Sequence, residues 1–288
     1  MKTRTLLPVL AVCTGALCAE DARTYSYRSS ARPTRQSGEE IEDIGQLDAS
    51  AGAFAASKFR TNVTVREQFT TNARLTGSHG SSDFIFLPTL EVGYATDLGK
   101  HFHFDLSGRL ETAVYARFDQ RSFYGYSAAA TLDYRPAPTM PRLYIGAEPY
   151  RYIRYDTGDR ITQAIGTSVG TDWGRSFNAG RSLFYAGYSF TSYFADPSVD
   201  DRQQHSIVLG LAHALTPRLT GQLYYSWQYS DFDIDRRDSR HVVGGNLIYQ
   251  LAAHWFANLT TTLVDVDSSQ DASSYQSFGT ALGVSAQF

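Results

Sequence analysis

The stretch HFHFDLSGRLETAVYARF, residues 101–118, decides the fold. From Phe102, every second residue is apolar or small, through Phe104, Leu106, Leu110 and Val114 to Phe118. The intervening set carries His101, His103, Asp105, Arg109, Glu111 and Arg117. A period of two is the signature of a β-strand, whose side chains alternate between faces. Strands in soluble domains average only about five or six residues, so a strand of this length needs a special setting.

The same alternation recurs from about residue 57 to Phe288. It predicts twelve strands, near 57–71, 82–95, 101–118, 122–135, 142–155, 160–173, 182–194, 204–215, 218–231, 240–251, 254–266 and 275–288. Connections after even-numbered strands are mostly tight, as in TDLGK at 96–100 and LTPR at 215–218. Those after odd-numbered strands tend to be longer and more charged, as in DFDIDRRDSR at 231–240. Short turns at one end of a sheet and long polar loops at the other are the asymmetry of a membrane-spanning barrel. In that setting the apolar face of residues 102–118 points at lipid and the charged face into a lumen.

Aromatic residues fall where lipid headgroups would lie. Tyr94, Phe102, Tyr134, Trp173, Phe184, Tyr249, Trp255 and Phe288 flank the short turns. Phe69, Phe84, Phe118, Tyr124, Phe194, Trp227, Tyr229 and Phe278 flank the long loops. Two such girdles bounding an apolar band fit a transmembrane barrel. The last strand, YQSFGTALGVSAQF, places Phe278, Leu282, Val284 and Phe288 on one face. An apolar alternation ending in a C-terminal Phe resembles the assembly signal of Gram-negative outer-membrane β-barrel proteins, a porin-like superfamily whose subfamily the sequence does not name. The resemblance covers residues 51–288 and implies insertion by the outer-membrane assembly machinery. The expected fold class is all-β, an antiparallel up-and-down barrel of about 12 strands.

Composition agrees with that class. The 288 residues are 42% hydrophobic and 19% charged, with a formal net charge of −3. An acidic balance gives no nucleic-acid footprint. The opening MKTRTLLPVLAVCTGALCAE pairs a charged start with an apolar core and small Ala19, which predicts a cleaved signal peptide over 1–19. Both cysteines, Cys13 and Cys18, lie within it, so the exported chain has no disulfide. Residues 20–50 are polar and aperiodic and read as a flexible segment; 51–288 form the barrel. The expected location is the outer membrane, with lipid, lipopolysaccharide and the assembly machinery as partners and no cofactor or metal.

Candidate functional residues follow from the lumen face. Arg60 and Arg66 on the first strand, Asp105, Arg109, Glu111 and Arg117 on the third, and Glu148 and Arg154 on the fifth are expected to line a pore. Strands seven to twelve offer mostly Ser, Thr, Asn, Gln and Gly there. Charged rings of this kind bias ion selectivity, whereas mutual salt bridges would close the lumen. The pattern predicts a passive channel for polar solutes, with a non-conducting barrel acting through its long surface loops as the alternative. GTSVG at 166–170 matches the nucleophile-elbow pattern, but it lies within a strand with no following helix, so its glycines read as packing sites. A third reading is a hydrolase acting on lipid, with serine and histidine on the outer wall. His205, His213 and His241 face that way, none is read with a serine two residues away on the same face, and the chain is expected not to be an enzyme.

Overall fold

The computed structural model describes residues 59–75, 80–137, 140–178 and 181–288. The signal peptide over 1–19 and the polar segment over 20–50 lie outside the described residues. Twelve strands follow in order: β1 (Phe59–Thr70), β2 (Asp83–Asp97), β3 (Phe102–Tyr115), β4 (Phe123–Tyr134), β5 (Arg142–Arg154), β6 (Arg160–Phe177), β7 (Ser182–Asp196), β8 (Arg202–Thr216), β9 (Leu219–Phe232), β10 (Arg236–Ala252), β11 (Trp255–Ser268) and β12 (Tyr275–Gln287). Each pairs antiparallel with its sequence neighbours, and β1 pairs with β12 to close a barrel. Closure is sealed by reciprocal bonds between Thr61 and Phe288, with N···O distances of 2.8 and 2.9 Å. No sheet edge is left exposed, which is the condition for strands to cross hydrocarbon.

The alternation is realised as the sequence predicts. Along β3, Leu106, Leu110 and Val114 are exposed while Asp105, Ala113 and Tyr115 are buried. Because the barrel is closed, the buried set faces the lumen and the exposed set faces outward. Leu223, Leu263 and Leu282 are more than half exposed on the outer wall, as are Ile145 and Val169. Such a continuous apolar belt is untenable in water and is what a bilayer covers. A 14-residue strand such as β3 runs roughly 46 Å at ~3.3 Å per residue, or about 35 Å along the axis when tilted. That exceeds the apolar band, so each strand ends in water.

The aromatic girdles form as contacting pairs. At the short-turn end, Phe59 and Tyr94 stand 5.0 Å apart, as do Phe102 and Tyr134, and Phe288 stacks on His254 at 5.7 Å. At the other end Phe69 packs on Phe84 at 5.2 Å. Phe278, Leu282, Val284 and Phe288 are all exposed on the outer face, as the C-terminal pattern requires.

Three expectations need correction. First, β3 stops at Tyr115, three residues before Phe118. The Asp83 carboxylate accepts the backbone N–H groups of Arg117 and Phe118 at 3.0–3.2 Å and turns the chain out of the ladder. Arg117 is therefore exposed in the turn rather than on the lumen wall, and Phe118 leaves the girdle to pack against an internal cluster. Second, the charged segment read as a β9–β10 loop is mostly strand. β10 begins at Arg236, leaving only 233–235 as a turn. Third, β6 continues to Phe177.

The barrel interior is packed by a repeated device. Five inward tyrosines lie directly across the ladder from glycines: Tyr144 and Gly170, Tyr152 and Gly125, Tyr193 and Gly166, Tyr185 and Gly210, Tyr224 and Gly244. A Cβ on each glycine would fall 2.0–2.7 Å from the facing ring or its hydroxyl. The missing side chain lets each ring lie flat on the wall instead of standing across the lumen. Gly166 and Gly170 of GTSVG are two of these seats, which accounts for that motif by packing.

Candidate functional site

The lumen has two unlike walls. On β7–β12, inward polar residues are tightly enclosed: Gln204 and Thr262 are 1% exposed and Thr260 0%. Among them an apolar cluster of Tyr185, Val208, Tyr224, Val242 and Val264 receives Leu75 from the β1–β2 connection. On β1–β3 the inward charges are partly open, with side-chain exposures of 24% for Arg60, 21% for Glu91, 30% for Arg109 and 17% for Glu111. An inward side chain in a closed barrel can be exposed only to the lumen. The inward charges left partly accessible therefore lie on the wall that contains most of the residues singled out from the sequence.

Those residues are brought together in pairs. Arg60 grips Asp105 with two hydrogen bonds, at 2.5 and 3.1 Å, and lies 3.8 Å from Glu91. Arg109 lies 3.5 Å from Glu111, which also accepts the Tyr152 hydroxyl at 2.7 Å. Arg66 and Glu148 are half-buried on the inner faces of β1 and β5. Arg154 closes β5 at the loop end, its Nη1 donating to the Gln120 carbonyl at 2.5 Å. Arg117 alone among the eight lies away from the wall.

Two groups of charges escaped the sequence reading. At the short-turn end Arg142 is buried between Asp133, 3.0 Å away, and Asp172, whose Oδ2 accepts Nε at 2.8 Å and Nη2 as well. Arg135 in the adjoining turn is pushed below the ordinary arginine value by burial first and by Arg142 second, while Asp172 and Asp133 pull it up. At the loop end, β8 and β10 contribute Arg202, Arg236, Asp238 and Arg240, all facing inward. The three on β10 lie in the segment read as a β9–β10 loop. The Arg–x–Asp–x–Arg alternation of residues 236–240 was the available signal.

Charge is consequently sorted along the axis. Among side chains on the inner faces of the strands, Asp97, Asp105, Asp133 and Asp172 face Arg142 near the short turns, and Arg66, Arg154, Arg202, Arg236 and Arg240 face Asp83 and Asp238 near the loops, with Arg60, Glu91, Arg109, Glu111 and Glu148 between them. Within a low-dielectric wall such fixed charges are weakly screened and act along the whole path.

The outer wall holds a separate arrangement. Ser239 Oγ lies 3.2 Å from His241 Nε2, whose Nδ1 meets the Tyr225 hydroxyl at 2.9 Å. Trp227 Nε1 donates to the same Ser239 oxygen at 3.0 Å. Ser239 precedes His241 by two residues on one face, a pairing legible in the sequence and missed there. A second pair, Ser182 and His213 at 2.7 Å, has its serine buried.

Comparison with known proteins agrees with the architecture. Residues 192–288, from β7 to the C-terminus, match a family described as Putative beta-barrel porin 2. No curated protein matches the chain in sequence. An outer-membrane channel from Pseudomonas putida F1 is similar in structure with a TM-score of 0.53 at 10% identity, covering 80% of this chain and 95% of that one. KdgM porin gives a TM-score of 0.46 at 11% identity, covering 79% of this chain and 99% of that one. An anion-selective porin from Comamonas acidovorans gives 0.41 at 10% identity, covering 80% and 98%. At 10% identity the likeness to the Pseudomonas putida channel speaks to the fold alone, a closed barrel of the outer-membrane type.

Proposed function

We propose that this outer-membrane β-barrel is a passive channel for small polar solutes, conducting along the β1–β5 side of its lumen. The reading rests on one observation: inward side chains at mid-height, Arg109 above all, keep 17–30% of their surface exposed inside a closed barrel. A lumen filled and sealed by its own ion pairs would bury them, as β7–β12 bury theirs. The description of the family matched over 192–288 points the same way. The connections 116–122, 155–159, 197–201, 233–235 and 269–274, whose residues are all described, are short, which weighs against a barrel acting through long surface loops.

The mechanism needs no moving part. A solute sheds part of its hydration, meets fixed charges of both signs, and leaves because no single site holds it tightly. Arg109 is loosely paired, so its charge is the one most felt by passing ions. In planar bilayers the refolded chain is expected to give discrete, long-lived steps. Arg109→Ala is expected to shift the reversal potential in a salt gradient toward cation preference. Arg117→Ala, in the exposed turn, is expected to leave it unchanged. Stable insertion without steps would sink the channel reading.

One observation favours a second reading alongside the first. Ser239, His241 and Tyr225 have the order of nucleophile, base and orienting group, and they face lipid at the loop end. If this trio hydrolyses ester lipids, purified barrel will release fatty acid from phospholipid micelles and Ser239→Ala will abolish the release with conductance intact. Equal release by the variant would dismiss it.

A further inference from the structure

The loop end of the lumen carries a cluster of guanidiniums that a plain water-filled passage does not require. Across four strands the register sets Tyr193 opposite Arg202, Arg202 opposite Phe232, and Phe232 opposite Arg236. The Arg202 Cζ stands 4.2 Å from the Tyr193 ring centroid and 5.4 Å from that of Phe232, and the Arg236 Cζ stands 5.1 Å from Phe232. Four residues farther along β10, Arg240 Nη1 donates to Gln228 Oε1 at 3.3 Å. Arg202, Arg236 and Arg240 are 3%, 7% and 6% exposed.

The three cations are not equally answered. Arg236 donates through Nε to Asp238 at 2.9 Å and through Nη2 as well, and Asp238 also accepts from Ser268 at 2.6 Å. That carboxylate is fully engaged. Arg202 and Arg240 meet neutral acceptors, the Asp200 carbonyl at 3.2 Å and the Gln228 amide. Among the described residues neither has a carboxylate partner, and Arg202 Nε and Nη2 and Arg240 Nε are buried with no hydrogen bond. Burying a guanidinium without a counter-charge is costly, and a ring face offsets only part of that cost. Ionisable groups held inside a membrane protein at such cost mark solute pathways. The flanking rings fix the guanidinium planes, and the planar fork of N–H donors matches carboxylate and phosphate oxygens.

We propose that Arg202 and Arg240, framed by Tyr193 and Phe232 and adjoined by Arg236, form a binding site for a small oxyanion at the loop-end mouth of the lumen. The solute class is one bearing a carboxylate or phosphate group. Both arginines face inward, so the anion comes from solution and not from a lipid headgroup outside the wall. The proposal rests on the channel reading, whose solute class it names.

The test uses the full refolded barrel in detergent and in planar bilayers. Calorimetric titration with inorganic phosphate, and separately with succinate, is expected to show binding by the native chain. Arg202→Gln/Arg240→Gln, together with each single variant, is expected to weaken it about tenfold or more, as loss of charge-assisted hydrogen bonds predicts. The double variant is also expected to move the reversal potential toward cation preference. Arg237→Gln, on the outer face beside Asp231, is expected to change neither readout. Absence of binding by the folded native chain, or equal binding by the double variant, overturns the site whatever the conductance. Binding without conductance would leave the site standing and overturn the channel reading instead.

Discussion

The Arg142→Met barrel is expected to unfold at clearly lower denaturant than the native chain, with a loss of about 3–5 kcal/mol, the usual consequence of breaking a buried ion pair from one side. Arg142 is 8% exposed in its side chain, and its partners Asp133 and Asp172 are 7% and 6% exposed. Removing the guanidinium leaves two enclosed carboxylates facing each other across β4, β5 and β6. Methionine keeps most of the volume, so the loss reports charge rather than a cavity. Adding Asp133→Asn and Asp172→Asn to the same chain is expected to recover most of the stability, since the trio is then neutral. Denaturant titration followed by the shift in electrophoretic mobility between folded and heated barrel would measure both. Equal midpoints for the native and Arg142→Met chains would mean that the triad contributes nothing net.

Gly210→Ala is expected to act on both stability and conductance. The new Cβ would sit 2.0 Å from both Cζ and the hydroxyl oxygen of Tyr185, so the ring cannot stay flat on β8. It is the far end of a rotatable side chain, and it can swing off the wall, at the cost of about 1–3 kcal/mol typical of overpacking. The ring then projects from the cluster it shares with Val208, Tyr224 and Val242, narrowing the passage. Single-channel conductance should fall, and Tyr185→Ala in the same chain should restore it. Unchanged conductance in Gly210→Ala would mean that the ring has room to move without entering the ion path.

Much of this architecture was written in the alternation of the chain, because a strand between lipid and water must sort its side chains at every step. Arg60, Asp105, Arg109 and Glu111 were readable for that reason: each lies inside a regular apolar alternation. The pattern fades where the outer face passes out of hydrocarbon. Ser239 and Arg237 are tolerated outward on β10 because they stand in the headgroup layer or beyond it. The result is that Arg236, Asp238 and Arg240 look like loop residues, and Asp133 and Arg142 look like turn flanks. Pairing was beyond the sequence for a different reason. Arg60 finds Asp105 forty-five positions away and Arg142 finds Asp172 thirty away, by register across the barrel rather than by any local spacing. Arg117 and Phe118 failed on a tertiary detail, the Asp83 carboxylate that draws the chain out of β3.

The sorting of charge along the axis has a consequence for transport beyond selectivity. A passage with cationic residues at one mouth and anionic residues at the other is built like a semiconductor junction. Under one polarity mobile anions and cations are both drawn in from the mouths that attract them, and carriers accumulate. Under the opposite polarity both are drawn away, and the passage is depleted. If the barrel conducts as proposed, current is expected to pass more readily in one direction across the membrane than in the other, without any gate.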